Sequence, residues 1–181
     1  DRAKFEEQLK NNPDDVTALF AEQGRASDSQ VEFVRSGVNT EPGEYAINIT
    51  QAATQGSLVG ASAISAPVTI DGTNDELTFL VNGETSVSVQ LTQQTYNSAQ
   101  ELVDELQAQL DANNALSASG ASVQVGVGTG GELTFTSSQY GSSSNVSITS
   151  VEDGAAYGLE LATGAVGSDV AGTIGGRTAQ G

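Results

Sequence analysis

Serine is abundant in this chain, but the groups that would activate it are missing. Histidine and cysteine are absent, and the only lysines are Lys4 and Lys10, near the start. A serine nucleophile needs a base beside it, so no Ser-His or Ser-Lys pair is on offer beyond the first residues. Between Arg35 and Arg177 there is no lysine, arginine, histidine or cysteine, while residues 36–176 hold fifteen carboxylates. Without cysteine there are no disulfides and no thiolate metal sites. The remaining chemistry would have to come from carboxylates.

Three carboxylate or glycine patterns come close to a site. Glu101 and Glu105 lie one helical turn apart and could serve as a glycosidase-like acid and base. That work needs one carboxyl in a desolvated pocket, and the chain has no tryptophan to build a sugar-stacking cleft, so the pair reads as a solvated face. The run from Asp71 to Glu76 offers clustered oxygens for calcium. It has Thr73 at the third position and no glycine at the sixth, which is not the EF-hand register, so a turn between Ile70 and Leu77 is expected. Gly126, Gly128 and Gly131 fit the G-x-G-x-x-G spacing, but Leu133 and Phe135 follow as strand rather than as a phosphate-binding helix. A glycine-rich hairpin is expected there. Asn48-Ile49-Thr50 and Asn145-Val146-Ser147 match glycosylation acceptors within strand-like segments. No catalytic, cofactor-binding or metal-ligating residue is assigned, and no cofactor is expected.

The elements that would carry such residues follow from periodicity. The chain has 181 residues and a formal charge of −17, which repels nucleic acid and anionic membranes. No apolar run is long enough to span a bilayer. The chain starts at Asp1, and it reads as a piece of something longer. Phe5 and Leu9 sit one turn apart, then Asn12-Pro13 opens a second short helix with Val16, Leu19 and Phe20 on its apolar face. Such short helices need a partner to bury that face. Residues 1–24 are thus a helical segment and 25–43 a linker.

From residue 44 the period changes to two. Tyr45, Ile47 and Ile49 alternate with polar neighbours, as do Leu77, Phe79 and Val81, and then Val87, Val89 and Leu91. Asn82-Gly83 between two such runs predicts a type I′ hairpin. Further strands are expected over 123–127, 133–135 and 146–148. Ser98 and Glu101 form a capping box ahead of an apolar stripe of Leu102, Val103, Leu106 and Leu110. The order expected is three strands, one helix, three strands. The fold class is α+β, mainly β: an antiparallel sheet domain over 44–162 with one amphipathic packing helix, preceded by the helical segment. Residues 163–181 hold six glycines. They are expected to be a connecting loop, or a segment whose pairing partner lies elsewhere.

Laid end to end, these segments resemble a known family. DRAKFEEQLKNNPDDVTALF is similar to a helical segment of bacterial flagellar filament cap proteins, also called hook-associated protein 2. EPGEYAINITQAATQGSLVGA resembles the strand opening their outer β domains. LTFLVNGETSVSVQL, the SAQELVDELQAQLDAN helix and VQVGVGTGGELTFTSSQYGSSSNVSIT resemble the flagellin–hook IN motif, and DVAGTIGGRTAQG resembles a linker that follows it. The resemblance implies a secreted, extracellular structural protein at the flagellum tip. It implies homo-oligomers formed through helical, coiled-coil regions of the parent, help to flagellin during motility-organelle growth, and in some members adhesion to a host surface ligand. From charge and hydropathy, no nucleic acid partner and no membrane insertion are expected. Two other readings remain open: an adhesin-like extracellular domain binding glycan or calcium, and an outer domain of a flagellin.

Overall fold

A computed structural model describes residues 2–12 and 24–181. The chain divides into two units, Asp1–Glu44 and Tyr45–Gly181. In the first, α1 (Arg2–Asn11) forms as its 3.6-residue spacing predicts. Arg2 and Glu6 pair across one turn at 2.7 Å, and Lys10 sits in the last turn where the helix dipole favours a cation. Phe5 and Leu9 are about half exposed, and no residue of α1 is buried. The helix expected after Pro13, with Val16, Leu19 and Phe20, lies outside the described residues. From 24 to 44 there is neither helix nor strand, only turns such as the one closed by Gly37 and Thr40.

The second unit is β-rich. Six strands precede its main helix: β1 (Ile47–Gln51), β2 (Gln55–Ala63), β3 (Val68–Thr69), β4 (Glu76–Val81), β5 (Thr85–Gln90) and β6 (Thr95–Tyr96). Helices α2 (Ala99–Asp111) and α3 (Asn114–Ser119) follow. Then come β7 (Val123–Val127), β8 (Glu132–Tyr140), β9 (Val146–Val151), a 3₁₀ turn over Gly154–Tyr157, β10 (Ala162–Thr163), β11 (Ala171–Ile174) and β12 (Arg177–Gln180). All strand pairs are antiparallel, in sheets ordered β10-β9-β4-β5, β2-β8-β7, β3-β6 and β1-β11-β12. The fold is therefore α+β and mainly β.

One core joins the first two sheets. Phe79 of β4 and Phe135 of β8 are fully buried with ring centroids 5.0 Å apart. The apolar stripe of α2, namely Leu102, Val103, Leu106 and Leu110, is buried among them, and α2 packs against β5, β6 and β7. Ser98 caps α2 by accepting from Glu101 N–H at 3.2 Å. The reciprocal arm of the capping box is shifted: the Glu101 carboxylate accepts from Asn97 N–H, at 2.7 Å, rather than from Ser98. Asn82 and Gly83 both have positive φ, 54° and 70°, and Glu84 N–H closes the turn onto Val81 O. That is the type I′ geometry a β4–β5 hairpin needs.

Four expectations are corrected. The order of three strands, helix, three strands becomes six, two helices and six. β2 was hidden because glycine, serine and alanine interrupt its alternation, and β3, β6 and β10 are two-residue strands with no period to detect. α3 was hidden because Asn113, read as a stop, is its N-cap and accepts from Ala115 N–H at 3.0 Å. The strand expected from Tyr45 begins only at Ile47, and none of β1 is buried. Finally, the glycine-rich 163–181 segment is not wholly a loop: residues 171–180 form two strands that pair with each other, and the first of them pairs with β1. Gly175 and Gly176, both at positive φ, turn β11 into β12, and β1 is the strand beside them.

Replacing Leu106 with Asp puts an unpaired charge into a fully buried position. A loss of several kcal/mol is expected, read as collapse of the cooperative thermal transition. A melting temperature within a few degrees of the parent's would contradict this placement of α2.

Candidate functional site

Each pattern that could have carried chemistry can be located. Glu101 and Glu105 stand beside an open hollow of about 480 Å³ lined by Gln94, Thr95, Tyr96, Asn97 and Asp104. Glu105 is tied down: its Oε1 accepts from Thr92 N–H at 3.0 Å, Thr92 Oγ1 at 2.8 Å and Gln109 Nε2 at 2.9 Å. Burial alone would push its carboxyl up, but these hydrogen bonds from Gln109 and Thr92 together hold it below the usual range. A general acid needs the opposite shift. The pair fastens α2 to the segment before it.

The Asp71–Glu76 run closes on itself. Asp71 Oδ1 accepts from Thr73 Oγ1 at 2.7 Å and Thr73 N–H at 2.9 Å, which lowers its pKa. Asn74 accepts from Asp71 N–H and donates to Thr69 O. Asp75 is buried, and its Oδ2 accepts from Gln90 Nε2 at 3.2 Å and Gln93 Nε2 at 3.0 Å. Two neutral amides, rather than a cation, satisfy that oxygen. Among the described residues no set of three or more acidic side chains is arranged to hold a metal ion. Gly128 to Gly131 form the turn between β7 and β8, with Gly128 N–H donating to Glu132 O at 2.8 Å, so the glycine spacing belongs to a hairpin. The Asn145 amide is engaged with Gly164 O and Ser147 Oγ inside the fold. Asn48 is exposed on β1.

What the residues build instead is a set of polar pins. Asn82 Oδ1 accepts from Ser137 Oγ at 2.8 Å and from Asn145 N–H at 3.3 Å, tying the β4–β5 turn to β8 and β9. Gln107 behaves as a short surrogate strand on β7. Its Oε1 accepts from Val125 N–H at 2.8 Å and its Nε2 donates to Val123 O at 3.1 Å. Asn113 Nδ2 donates to Ser88 O on β5 at 3.1 Å. Gln107 carries no local signal that would reveal this role, whereas Asn82 is visible through its Asn-Gly pair. Tyr157, fully buried, donates to Asn74 O at 3.0 Å. Burial pushes its phenol up to about 12, with Glu152, Asp153 and Asp75 adding to the rise. A second, better-walled hollow among the described residues, near Leu58 and Ile148, holds about 40 Å³.

No protein-family model matches the chain, and no curated protein matches it. Solved structures do. The D2-D3 domains of the flagellar cap protein from Serratia marcescens superpose with a TM-score of 0.53 over 80% of both chains, at 20% identity. The fold is that of flagellar cap domains. The D2-D3 domains of the Escherichia coli FliD cap protein give 0.50 over 80% of this chain and 76% of theirs, at 16% identity. The longer D1-D2-D3 form from Escherichia coli gives 0.51 at 18% identity. This chain covers 78% of its own length there but only 41% of that longer chain. The cap-domain fold thus appears at identities where sequence alone says little. The pins at Asn82 and Gln107 are how this chain holds that fold.

Two pH responses follow. The neutral Tyr157 phenol is favoured by the folded state, so its contribution is full below pH 10, where the unfolded phenol begins to ionise, and is lost as pH rises toward about 12. Tyr157→Phe should therefore flatten the alkaline fall in melting temperature between those values, and an unchanged alkaline limb would contradict the burial. Glu105, with its pKa lowered, stabilises the fold above the ordinary carboxylate range and loses that contribution as pH falls through its folded value. Glu105→Gln should show a smaller drop in melting temperature on acidification, and an equal drop would remove Glu105 as an anchor.

Proposed function

We propose that this chain is part of a flagellar filament cap subunit that helps flagellin add at the growing tip, outside the cell. The observation that carries this is the cap-domain fold, matched over 80% of both chains in the Serratia marcescens D2-D3 domains. The sequence resemblance to cap proteins supports the same reading. In this reading residues 1–24 belong to an inner helical layer through which the parent self-associates, 25–43 is the linker, and the β unit is an outer domain. The exposed Phe5 and Leu9 are consistent with a helix that finds its partners in the parent. The role is structural rather than enzymatic, a reading supported by residues 36–176, which hold no histidine, cysteine, lysine or arginine for acid/base or phosphoryl chemistry to draw on. Adhesion to a host surface, which the family resemblance also implies, would fall to the same outer unit.

Deletion of the parent protein from a flagellated cell tests the assignment. Filaments should fail to elongate while intact flagellin accumulates in the medium, and re-expression should restore growth. Filaments of normal length without it would overturn the cap reading.

A further inference from the structure

An aspartate or asparagine directly followed by glycine occurs three times in the chain, at Asp71, Asn82 and Asp153. Such a pair can close a five-membered succinimide ring, because glycine has no Cβ to hinder attack of its nitrogen on the side-chain Cγ. Only Asn82 presents a neutral carboxamide, and asparagine is thermolabile through this reaction. The Gly83 nitrogen bonds to Asn82 Cγ and gives up its proton, the Cγ–Nδ2 bond breaks, and ammonia leaves with that proton. Water then opens one of the two ring carbonyls. One opening leaves aspartate at position 82. The other leaves isoaspartate, in which the main chain runs through the former side chain.

The β4–β5 turn leaves room for this reaction but ties the carboxamide down. Gly83 is exposed, and a methyl group placed on it would meet no atom within 4 Å. Its N–H has no partner among the described residues. The attacking nitrogen and the water are therefore both available. Asn82 itself is half-buried. Its Oδ1 accepts from Ser137 Oγ at 2.8 Å and from Asn145 N–H at 3.3 Å, and its own N–H donates to Asn145 O at 2.8 Å. Cγ can swing onto the Gly83 nitrogen only when both side-chain bonds break. Ser137 is fully buried on β8 and cannot follow the carboxamide outward.

We infer that Asn82-Gly83 is a self-modification site guarded by the fold. Ser137 and Asn145 keep the carboxamide from cyclising in the folded chain, and a chain that stays unfolded converts. The two products then part on refolding. Aspartate tolerates the positive φ of this position and can accept from Ser137 and Asn145 as the carboxamide does. Isoaspartate adds a methylene to the main chain inside a two-residue loop whose φ angles are 54° and 70°. The bond from Glu84 N–H to Val81 O that closes the turn is lost, and the β4–β5 register beyond it shifts. These strands carry Phe79, Val81 and Val87 of the core, all fully buried. Chains with isoaspartate at 82 therefore fail to regain that core. Asn82 acts as a clock that runs only while the hairpin is open. The inference does not depend on the cap reading, since it uses only this turn and its hydrogen bonds.

Ageing the 181-residue chain in mildly alkaline buffer, folded or in urea, is the direct test. Cleavage after Glu76 and Glu84 by a glutamate-specific protease releases residues 77–84, which hold this site and no other asparagine. Mass spectrometry then reads the conversion, and chromatography separates the two products. Conversion should be at least about tenfold slower in the folded chain than in urea, since two hydrogen bonds must break first. Ser137→Ala removes one of them and should speed conversion in the folded chain several-fold while leaving the rate in urea unchanged. When urea-aged chain is returned to buffer, aspartate at 82 should collect in the folded fraction and isoaspartate in the unfolded one. Asn82→Asp should melt within a few degrees of the parent. If Ser137→Ala does not fold, the parent's rates in buffer and in urea still decide. Equal rates in the two, a folded-state rate indifferent to Ser137→Ala, or isoaspartate chains that refold as well as aspartate chains would overturn the inference.

Discussion

The burial of the α2 stripe against β5, β6 and β7 is the interaction on which the rest of the β unit depends. A sheet needs one face covered and its edges occupied, and α2 meets both needs at once. Leu102, Val103, Leu106 and Leu110 fill the face, and Gln107, one residue on from Leu106, turns its amide onto the edge of β7. Glu105 and Glu101 then fasten the helix to Thr92 and Asn97 at the segment leading into it. Polar residues of the helix thus hold position while apolar ones supply most of the stabilisation.

The same division of labour extends to the acidic residues elsewhere in the β unit. Carboxylates that might have formed a site are spent on local backbone and amide donors: Asp71 on Thr73, Asp75 on two glutamines, Glu105 on Thr92 and Gln109.

The long elements were legible in the sequence because their side chains repeat with one period. The α2 stripe and the β4, β5, β7 and β8 alternations translate directly into buried faces, and Asn82-Gly83 marks its turn through the φ it tolerates. The misses have physical causes. Two-residue strands such as β3 and β10 exist only because a neighbour pairs with them. The 163–181 glycines mimic a loop by composition, yet Gly175-Gly176 is a hairpin turn and β11 finds β1 some 120 residues earlier in the chain. Alternation at Tyr45, Ile47 and Ile49 revealed a strand, but could not reveal that its apolar face stays exposed. The pin at Gln107 depends on a tertiary contact that no local pattern encodes.

Electron cryo-microscopy of intact filament tips from cells producing the parent protein tests the central claim most directly. A cap predicts density fitting the β unit only in an assembly at the distal end, with none along the filament shaft. Density for this unit repeating along the shaft, or its absence from the tip, would contradict the account.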